Sequence, residues 1–199
     1  MKIIETWTNF NKTKPEISFF IRLVLFYCIL YYGTLFWIGI CSPENLYWSF
    51  AEKYLNYIKW LRNSLISAAA FFGNLLNYNI EIPSTTFVKV VNGYGVHIVY
   101  ECVGYGVMSV WAAFALAYPA NTKKKIKWLI GGLFAIWLIN VTRILALLIA
   151  VNQGKTVDIN KFGEHHDVFN VVAYSLIILM IYFYTKSSSK KEIPSEAAK

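Results

Sequence analysis

The chain has 199 residues, of which 57% are hydrophobic and only 15% are charged, whereas soluble domains average about 25% charged residues. This composition excludes an ordinary soluble domain and predicts an integral membrane protein. The net charge of +8 comes from lysines and arginines that flank apolar segments, which indicates membrane topology rather than nucleic-acid binding. Three cysteines are too few for a disulfide scaffold.

Four apolar segments predict membrane-spanning helices. In chain order they are Ile17–Ile40, Val103–Tyr118, Ile126–Val151 and Val168–Tyr184. The first is too long for a secretory signal and lacks a cleavage pattern, so we interpret it as a retained helix. Basic clusters before the first segment, at residues 123–127 and after the last predict that these regions are cytoplasmic. The start of the second segment and the loop at 156–167 then share the outer face.

Residues 42–101 must therefore begin and end on the outer face. The segment Leu46–Arg62 is amphipathic and aromatic, which favours a helix lying in the membrane interface. The segment Ser64–Leu76 is apolar, but as a helix it is only about 20 Å long and too short to span comfortably. We expect an interfacial or re-entrant helical pair, and two tilted crossings are the alternative.

An Asn92-Gly93 turn separates two runs rich in β-branched and aromatic residues, Thr85–Val91 and Gly95–Tyr100. This pattern predicts a hairpin. The complete prediction is an all-α polytopic membrane protein with about four transmembrane helices, interfacial or re-entrant helices and one small outer-face β-hairpin at about residues 85–100. Residues 1–186 are expected to form a single membrane-embedded domain, and residues 187–199 a disordered cytoplasmic tail.

Cys102 is the first candidate functional residue, because the hairpin delivers it to the start of a predicted helix. Unpaired backbone N–H groups and the helix dipole favour a thiolate there. Gly104 and Gly106 allow close backbone approach, whereas the Glu101 carboxylate opposes the thiolate. The alternatives are an inert cysteine at a helix end and a disulfide between Cys41 and Cys102.

Arg143 is the second candidate. It lies about 24 Å along its helix from Lys127, at the predicted depth of Cys102. An arginine in hydrocarbon costs a few kcal/mol unless it pairs, reaches the interface or meets water. Asn140, three residues earlier, shares its helical face and favours a functional role. A snorkelling arginine at a helix end is the alternative.

The pair His165 and His166 closes the outer loop and precedes the last predicted helix. A histidine can accept a thiol proton and return it to a leaving amine; two solvated loop histidines are the alternative. A metal site would lack helical ligand spacing, so we expect neither metal nor cofactor. That site would combine both histidines with Asp158, Glu164 and Asp167. His97 is expected to be structural.

Three motifs occur in a telling order. They are Glu101-Cys102-Val103-Gly104, Asn140-Val141-Thr142-Arg143-Ile144, and His166 followed four residues on by Asn170. Over roughly residues 95–184 the chain resembles the exosortase/archaeosortase family of membrane-embedded cysteine transpeptidases. Val103 replaces the usual Ser of that family, and Asn170 replaces the usual Gly.

The resemblance implies that Cys102, Arg143 and His166 are catalytic, with His165, Asn140, Glu101 and Asn170 as alternative or supporting residues. It also implies a substrate class: secreted proteins that end in a short motif, a transmembrane helix and a basic tail. The enzyme would cleave this signal through a thioester at the outer face of a bacterial cytoplasmic membrane. A lipid or glycan amine, or water, would accept the product.

Two other functions are consistent with the residues. The first is a non-enzymatic transporter or assembly factor in which Arg143 binds an anionic ligand. The second is an intramembrane metal hydrolase, for which the two motif-bearing helices offer no good ligand set.

Overall fold

The computed structural model describes residues 13–43, 46–153 and 162–189. These ranges contain six helices: α1 (Pro15–Ile40), α2 (Ser49–Tyr54), α3 (Tyr57–Leu75), α4 (Tyr105–Ala117), α5 (Thr122–Asn152) and α6 (Phe162–Ser189). Three strands follow α3, namely β1 (Ile80–Ser84), β2 (Phe87–Val90) and β3 (Gly95–His97), and a 3-10 turn at Tyr100–Val103 leads into α4. The predicted cytoplasmic residues 1–12, residues 156–161 of the predicted outer loop and the tail beyond residue 189 lie outside the described residues.

Aromatic contacts fix the relative direction of α1 and α4. Phe19 meets Phe114 edge to face, with ring centroids 5.9 Å apart. Twelve residues further along α1, Tyr31 stacks on Tyr105 at 5.7 Å. The contacts move forward along α1 and backward along α4, so the two helices are antiparallel. Such aromatic pairs add about 0.5–1.5 kcal/mol beyond their buried area.

A tryptophan in α4 sets the direction of the next two helices. Trp111 is fully buried and donates a hydrogen bond from its indole N–H to the Trp128 carbonyl at 3.2 Å. Its ring occupies the space above Gly132, where an added Cβ would lie 2.0 Å from the indole nitrogen. The fully buried Tyr184 of α6 packs against Trp128 at 5.4 Å. The C-terminal end of α6 therefore lies beside the N-terminal end of α5.

Among the described residues, α1 and α5 are long and apolar enough to cross a membrane, while α4 is apolar but has only 13 residues. Large side chains of α1 are exposed, such as Phe20 and Tyr32, each at 62%. The total of about four spans stays a prediction.

The helix α3 is longer than expected. It runs unbroken through Arg62 and Asn63, so the prediction of a separate apolar segment beginning at Ser64 is wrong. One face of α3 is buried against the core, through Ile58, Leu65, Ile66, Ala69 and Ala70. The Tyr57 hydroxyl donates to Thr34 Oγ1 at 2.8 Å, and Gly73 packs against Leu145 near the other end. Both contacts lie in the half of the bundle that carries the sheet, so α3 does not run the length of the bundle.

The strands form a three-stranded antiparallel sheet in the order β1-β2-β3. In the predicted hairpin, β2 pairs with β3 in the register Phe87 with His97 and Lys89 with Gly95. The turn residue Asn92 has a φ of 59°, a left-handed conformation that asparagine tolerates better than most residues. The strand β1 was not predicted. Its pairing with β2 is irregular between Glu81 and Ser84, which accommodates Pro83 at the sheet edge.

The last residue of α5 attaches the sheet to the bundle. The Asn152 side chain accepts a hydrogen bond from the Tyr94 N–H at 2.8 Å and donates one to the Tyr94 carbonyl at 3.0 Å. A Cβ on Gly93 would lie 2.2 Å from Asn152 Oδ1. Only glycine therefore lets the hairpin turn approach this amide. The sheet is held at the end of the bundle where α5 terminates.

Candidate active site

Cys102 lies in the 3-10 turn rather than in the helix. The helix α4 begins at Tyr105, after Gly104 with a φ of 79°, so the prediction that Cys102 opens the helix is wrong by three residues. The Cys102 N–H donates to the Val99 carbonyl at 3.1 Å. The side chain is partly exposed and packs against the core that contains the fully buried Val103. All three cysteines are free thiols, so no disulfide joins Cys41 to Cys102.

Asn140 connects this turn to α5. Its side chain is only 7% exposed, and its amide N–H donates to the Val103 carbonyl at 3.2 Å. A Cβ on Gly104 would lie 2.3 Å from the same amide nitrogen. Gly104 is thus required twice, once for its positive φ and once for the close approach of Asn140. The amide satisfies a carbonyl that would otherwise be buried without a partner.

The contacts between α4 and α5 place Arg143 at the level of the turn. Eight residues separate Trp111 from Val103 on one side, and eight separate Gly132 from Asn140 on the other. The chain from Trp111 back to Val103 therefore runs alongside α5 from Gly132 to Asn140. Arg143 follows Asn140 by three residues, about 4.5 Å along the axis, and is partly exposed. This packing is consistent with the prediction that Cys102 and Arg143 lie at the same depth.

The histidine pair lies inside the last helix. Because α6 begins at Phe162, the prediction that His165 and His166 precede the helix is wrong; their side chains, and that of Asn170, lie outside the described residues. The choice of His166 over His165 therefore stays a prediction.

A groove of about 320 Å³ opens beside the Cys102 turn, between α1, α4 and α6. Glu101 lines it from the turn, where its side chain is exposed. The backbone at Gly104 and Gly106 forms the floor, since neither residue carries a side chain. Four phenol rings and two valines complete the lining: Tyr27, Tyr31, Tyr105, Tyr174, Val107 and Val110.

Sequence reasoning missed Arg62. This residue is 94% buried on the core-facing side of α3, and its guanidinium lies over the Tyr100 ring, 4.9 Å from the centroid. The signal was available, because Arg62 follows Ile58 by four residues and precedes Ile66 by four, which places a charge in an apolar stripe. His97, by contrast, is exposed and packs on Phe87.

Within the described residues, no group of three or more His, Cys, Asp or Glu side chains is placed to hold a metal ion. The side chains of all five predicted ligands, which are Asp158, Glu164, His165, His166 and Asp167, lie outside the described residues, so the metal site stays an untested alternative. The arrangement therefore brings together a thiol-bearing turn, a buried amide that holds it and an arginine one helical turn further on. These groups can support nucleophilic chemistry at a carbonyl.

A comparison with known families covers the segment that carries these motifs. A family model described as transmembrane exosortase matches residues 15–183, which includes all described helices except the end of α6. No curated relative and no solved structure matches the chain. The match extends well beyond the region of motif resemblance, from α1 to the last helix. This chain belongs to the transmembrane exosortase family of membrane proteins.

Proposed function

We propose that the protein is a membrane-embedded cysteine transpeptidase that processes secreted proteins at a C-terminal sorting signal. The observation that carries the proposal is the hydrogen bond from Asn140 to Val103, which holds the Cys102 turn against the helix of Arg143 in a chain of the exosortase family. His166 is the third member, because its position matches the histidine of the family motif. The site would lie at the outer face of a bacterial cytoplasmic membrane.

The chemistry begins with proton transfer from the Cys102 thiol to His166. The sulfur then attacks the carbonyl carbon of the scissile peptide, and the carbonyl oxygen becomes an oxyanion that Arg143 stabilises. Collapse of this intermediate breaks the C–N bond, and His166 returns its proton to the departing amine. The products are a thioester on Cys102 and a free C-terminal fragment.

The second half-reaction transfers the acyl group. An amine on a lipid or glycan, or a water molecule, attacks the thioester carbon while His166 accepts the nucleophile's proton. Cys102 leaves as a thiolate and recovers its proton from His166. Neither step changes an oxidation state, so the reaction needs no redox cofactor.

In this proposal the substrate binds in the groove beside the turn, which Glu101 and Gly104 line on either side of Cys102 in the sequence. A transmembrane helix of the substrate would lie against α1 and α6, with its outer end next to Gly104 and Gly106. Glu101 lines the same groove, where it can contact the polar motif that precedes the helix. Holding the scissile bond next to the sulfur in this way removes much of the entropy cost of attack.

The test is co-expression with a secreted protein of the same genome that ends in a motif, a transmembrane helix and a basic tail. The wild-type chain should shorten this protein, whereas Cys102→Ala, Arg143→Ala and His166→Ala should each leave it uncut. His165→Ala should retain activity. Cys41→Ala is the matched control, because it removes another free thiol and should not affect processing.

Two measurements keep the test decisive. Membrane abundance of each variant shows whether it folds, and mass spectrometry of the Cys102 peptide detects the acyl adduct, which hydroxylamine should release. Normal processing by Cys102→Ala would refute the covalent mechanism. It would favour instead the non-enzymatic function in which Arg143 binds an anionic ligand.

A further inference from the structure

A second polar site lies apart from the Cys102 groove. A pocket of about 420 Å³ is enclosed by the end of α1, by α2 and α3, and by the approach to the 3-10 turn. Residues 41–43 form one wall, while Asn56 and Lys59 form another. Arg62 and Tyr100 lie at the wall nearest the sheet.

Arg62 is the unusual member of this pocket. It is only 6% exposed, and its Nε–H has no hydrogen-bond partner among the described residues. The charged groups around it are already matched, since Lys59 Nζ lies 2.9 Å from Glu52 Oε1. Its guanidinium contacts the Tyr100 ring, which attracts the cation but accepts no strong hydrogen bond.

Burial without a partner is costly for a guanidinium. An unsatisfied buried donor costs about 1–3 kcal/mol, and more when the group is charged. Among the described residues that line the pocket, the ion pair of Lys59 with Glu52 leaves one unmatched positive charge, that of Arg62. The missing partner is therefore an oxygen acceptor with a negative charge, and the planar guanidinium suits phosphate or carboxylate oxygens.

The surroundings favour a lipid as the source of that acceptor. The pocket lies where α1 ends at Ile40, which is the level of the membrane interface if α1 spans the bilayer. The α2–α3 segment beside it exposes aromatic side chains, among them Trp48 at 52% and Trp60 at 56%. Tryptophan and tyrosine collect at the depth of lipid headgroups.

We infer that this pocket binds the phosphate of an anionic phospholipid headgroup, with Arg62 as the main contact and Lys59 at the rim. The site is separate from the proposed transpeptidase chemistry and does not depend on it. Its occupant would lie against Tyr100, two residues before Cys102, so a bound lipid would support the turn that carries the thiol. An anionic lipid at this position would also supply a negatively charged partner for the Arg62 guanidinium.

The experiment uses the full chain in a neutral detergent and titrates short-chain dioctanoyl phosphatidylglycerol while the thermal unfolding midpoint is recorded. A ligand that binds only the folded state raises this midpoint in a concentration-dependent manner. We expect saturable stabilisation, with affinity at least tenfold above that of dioctanoyl phosphatidylcholine, whose net charge is zero. Inorganic phosphate at equal concentration should give no comparable shift.

Variants then locate the site. Arg62→Gln should reduce the affinity for phosphatidylglycerol at least tenfold, and Lys59→Gln about threefold. Lys53→Gln is the matched control, because it removes an exposed charge from neighbouring α2 and should change the affinity less than twofold.

Three outcomes would overturn the inference. Equal binding of the two lipids would exclude recognition of the net charge, and an equal response to inorganic phosphate would exclude a lipid-specific site. An affinity for phosphatidylglycerol that survives Arg62→Gln in a folded variant would place the site elsewhere. The lipid comparison on the wild-type chain remains decisive even if that variant does not fold.

Discussion

The contact between Gly104 and Asn140 makes a quantitative prediction about the stability of the Cys102 turn. Replacing Gly104 by Ala introduces a Cβ into a residue with a φ of 79°, which costs about 1–2 kcal/mol in the left-handed region. The same Cβ would lie 2.3 Å from Asn140 Nδ2, so the amide must move and its buried hydrogen bond is lost. That loss adds about 1–3 kcal/mol, giving about 2–5 kcal/mol in total.

The two contributions can be separated by a double-mutant cycle. The three atoms nearest the added Cβ all belong to Asn140. In an Asn140→Ala background, Gly104→Ala should therefore cost only the conformational term, about 1–2 kcal/mol. The two single changes should together exceed the double change by about 1–3 kcal/mol, as expected for residues in direct contact.

The assay is unfolding of the purified protein in mixed micelles with increasing sodium dodecyl sulfate, followed by tryptophan fluorescence. Gly131→Ala is the matched control on α5, the helix of Asn140, because a Cβ on Gly131 meets nothing within 4 Å. It should leave stability unchanged or raise it by about 0.5–1 kcal/mol. Additive free energies in the cycle would refute the direct contact between Gly104 and Asn140, and so would a Gly104→Ala variant as stable as the wild type.

Three further predictions concern other contacts. Burial, and after it the Glu52 carboxylate, raise the pKa of the Cys41 thiol. The rate of maleimide labelling at Cys41 should therefore keep rising with pH where the rate for an exposed thiol is already constant, and Glu52→Gln should increase the labelling rate at pH 8. Identical pH profiles for Cys41 and a model thiol would contradict this prediction. Asn152→Ala removes both hydrogen bonds to the hairpin turn and should speed hydrogen exchange at residues 91–95 about tenfold, which an unchanged exchange rate would exclude. Gly132→Ala places a Cβ 2.0 Å from the Trp111 indole nitrogen and should lower the free energy of unfolding by about 1–3 kcal/mol in the same detergent titration. A Gly132→Ala variant as stable as Gly131→Ala would contradict this prediction.

The predictions that succeeded depend on local chemistry. Asn92-Gly93 between β-branched runs specifies a hairpin because the turn conformation is encoded in two residues. The long apolar runs of α1 and α5 are equally local, since length and hydropathy are read directly from the chain. The family resemblance also came from short motifs, and the family match covers them.

The predictions that failed depend on tertiary contacts. The strand β1 contains Glu81 and Pro83, both unfavourable in a strand by propensity, and forms because β2 supplies its partner. The start of α4 is displaced because Gly104 adopts a left-handed conformation against Asn140, a residue distant in sequence. Helix propensity permits Arg62 within α3, but its burial depends on a distant residue, Tyr100, whose ring lies against the guanidinium. The sequence contains each of these residues but not the neighbours that decide their conformation.

The two asparagines of α5 have a joint consequence for the segment that carries Cys102. Asn152 bonds the backbone at Tyr94, and Asn140 bonds the backbone at Val103, so one rigid helix fixes both ends of this stretch of chain. Ordering a free backbone costs about 1–2 kcal/mol per residue, and here that cost is met when the protein folds. A substrate would therefore encounter a preformed loop, and its binding energy would be available for the reacting bond rather than for ordering the protein.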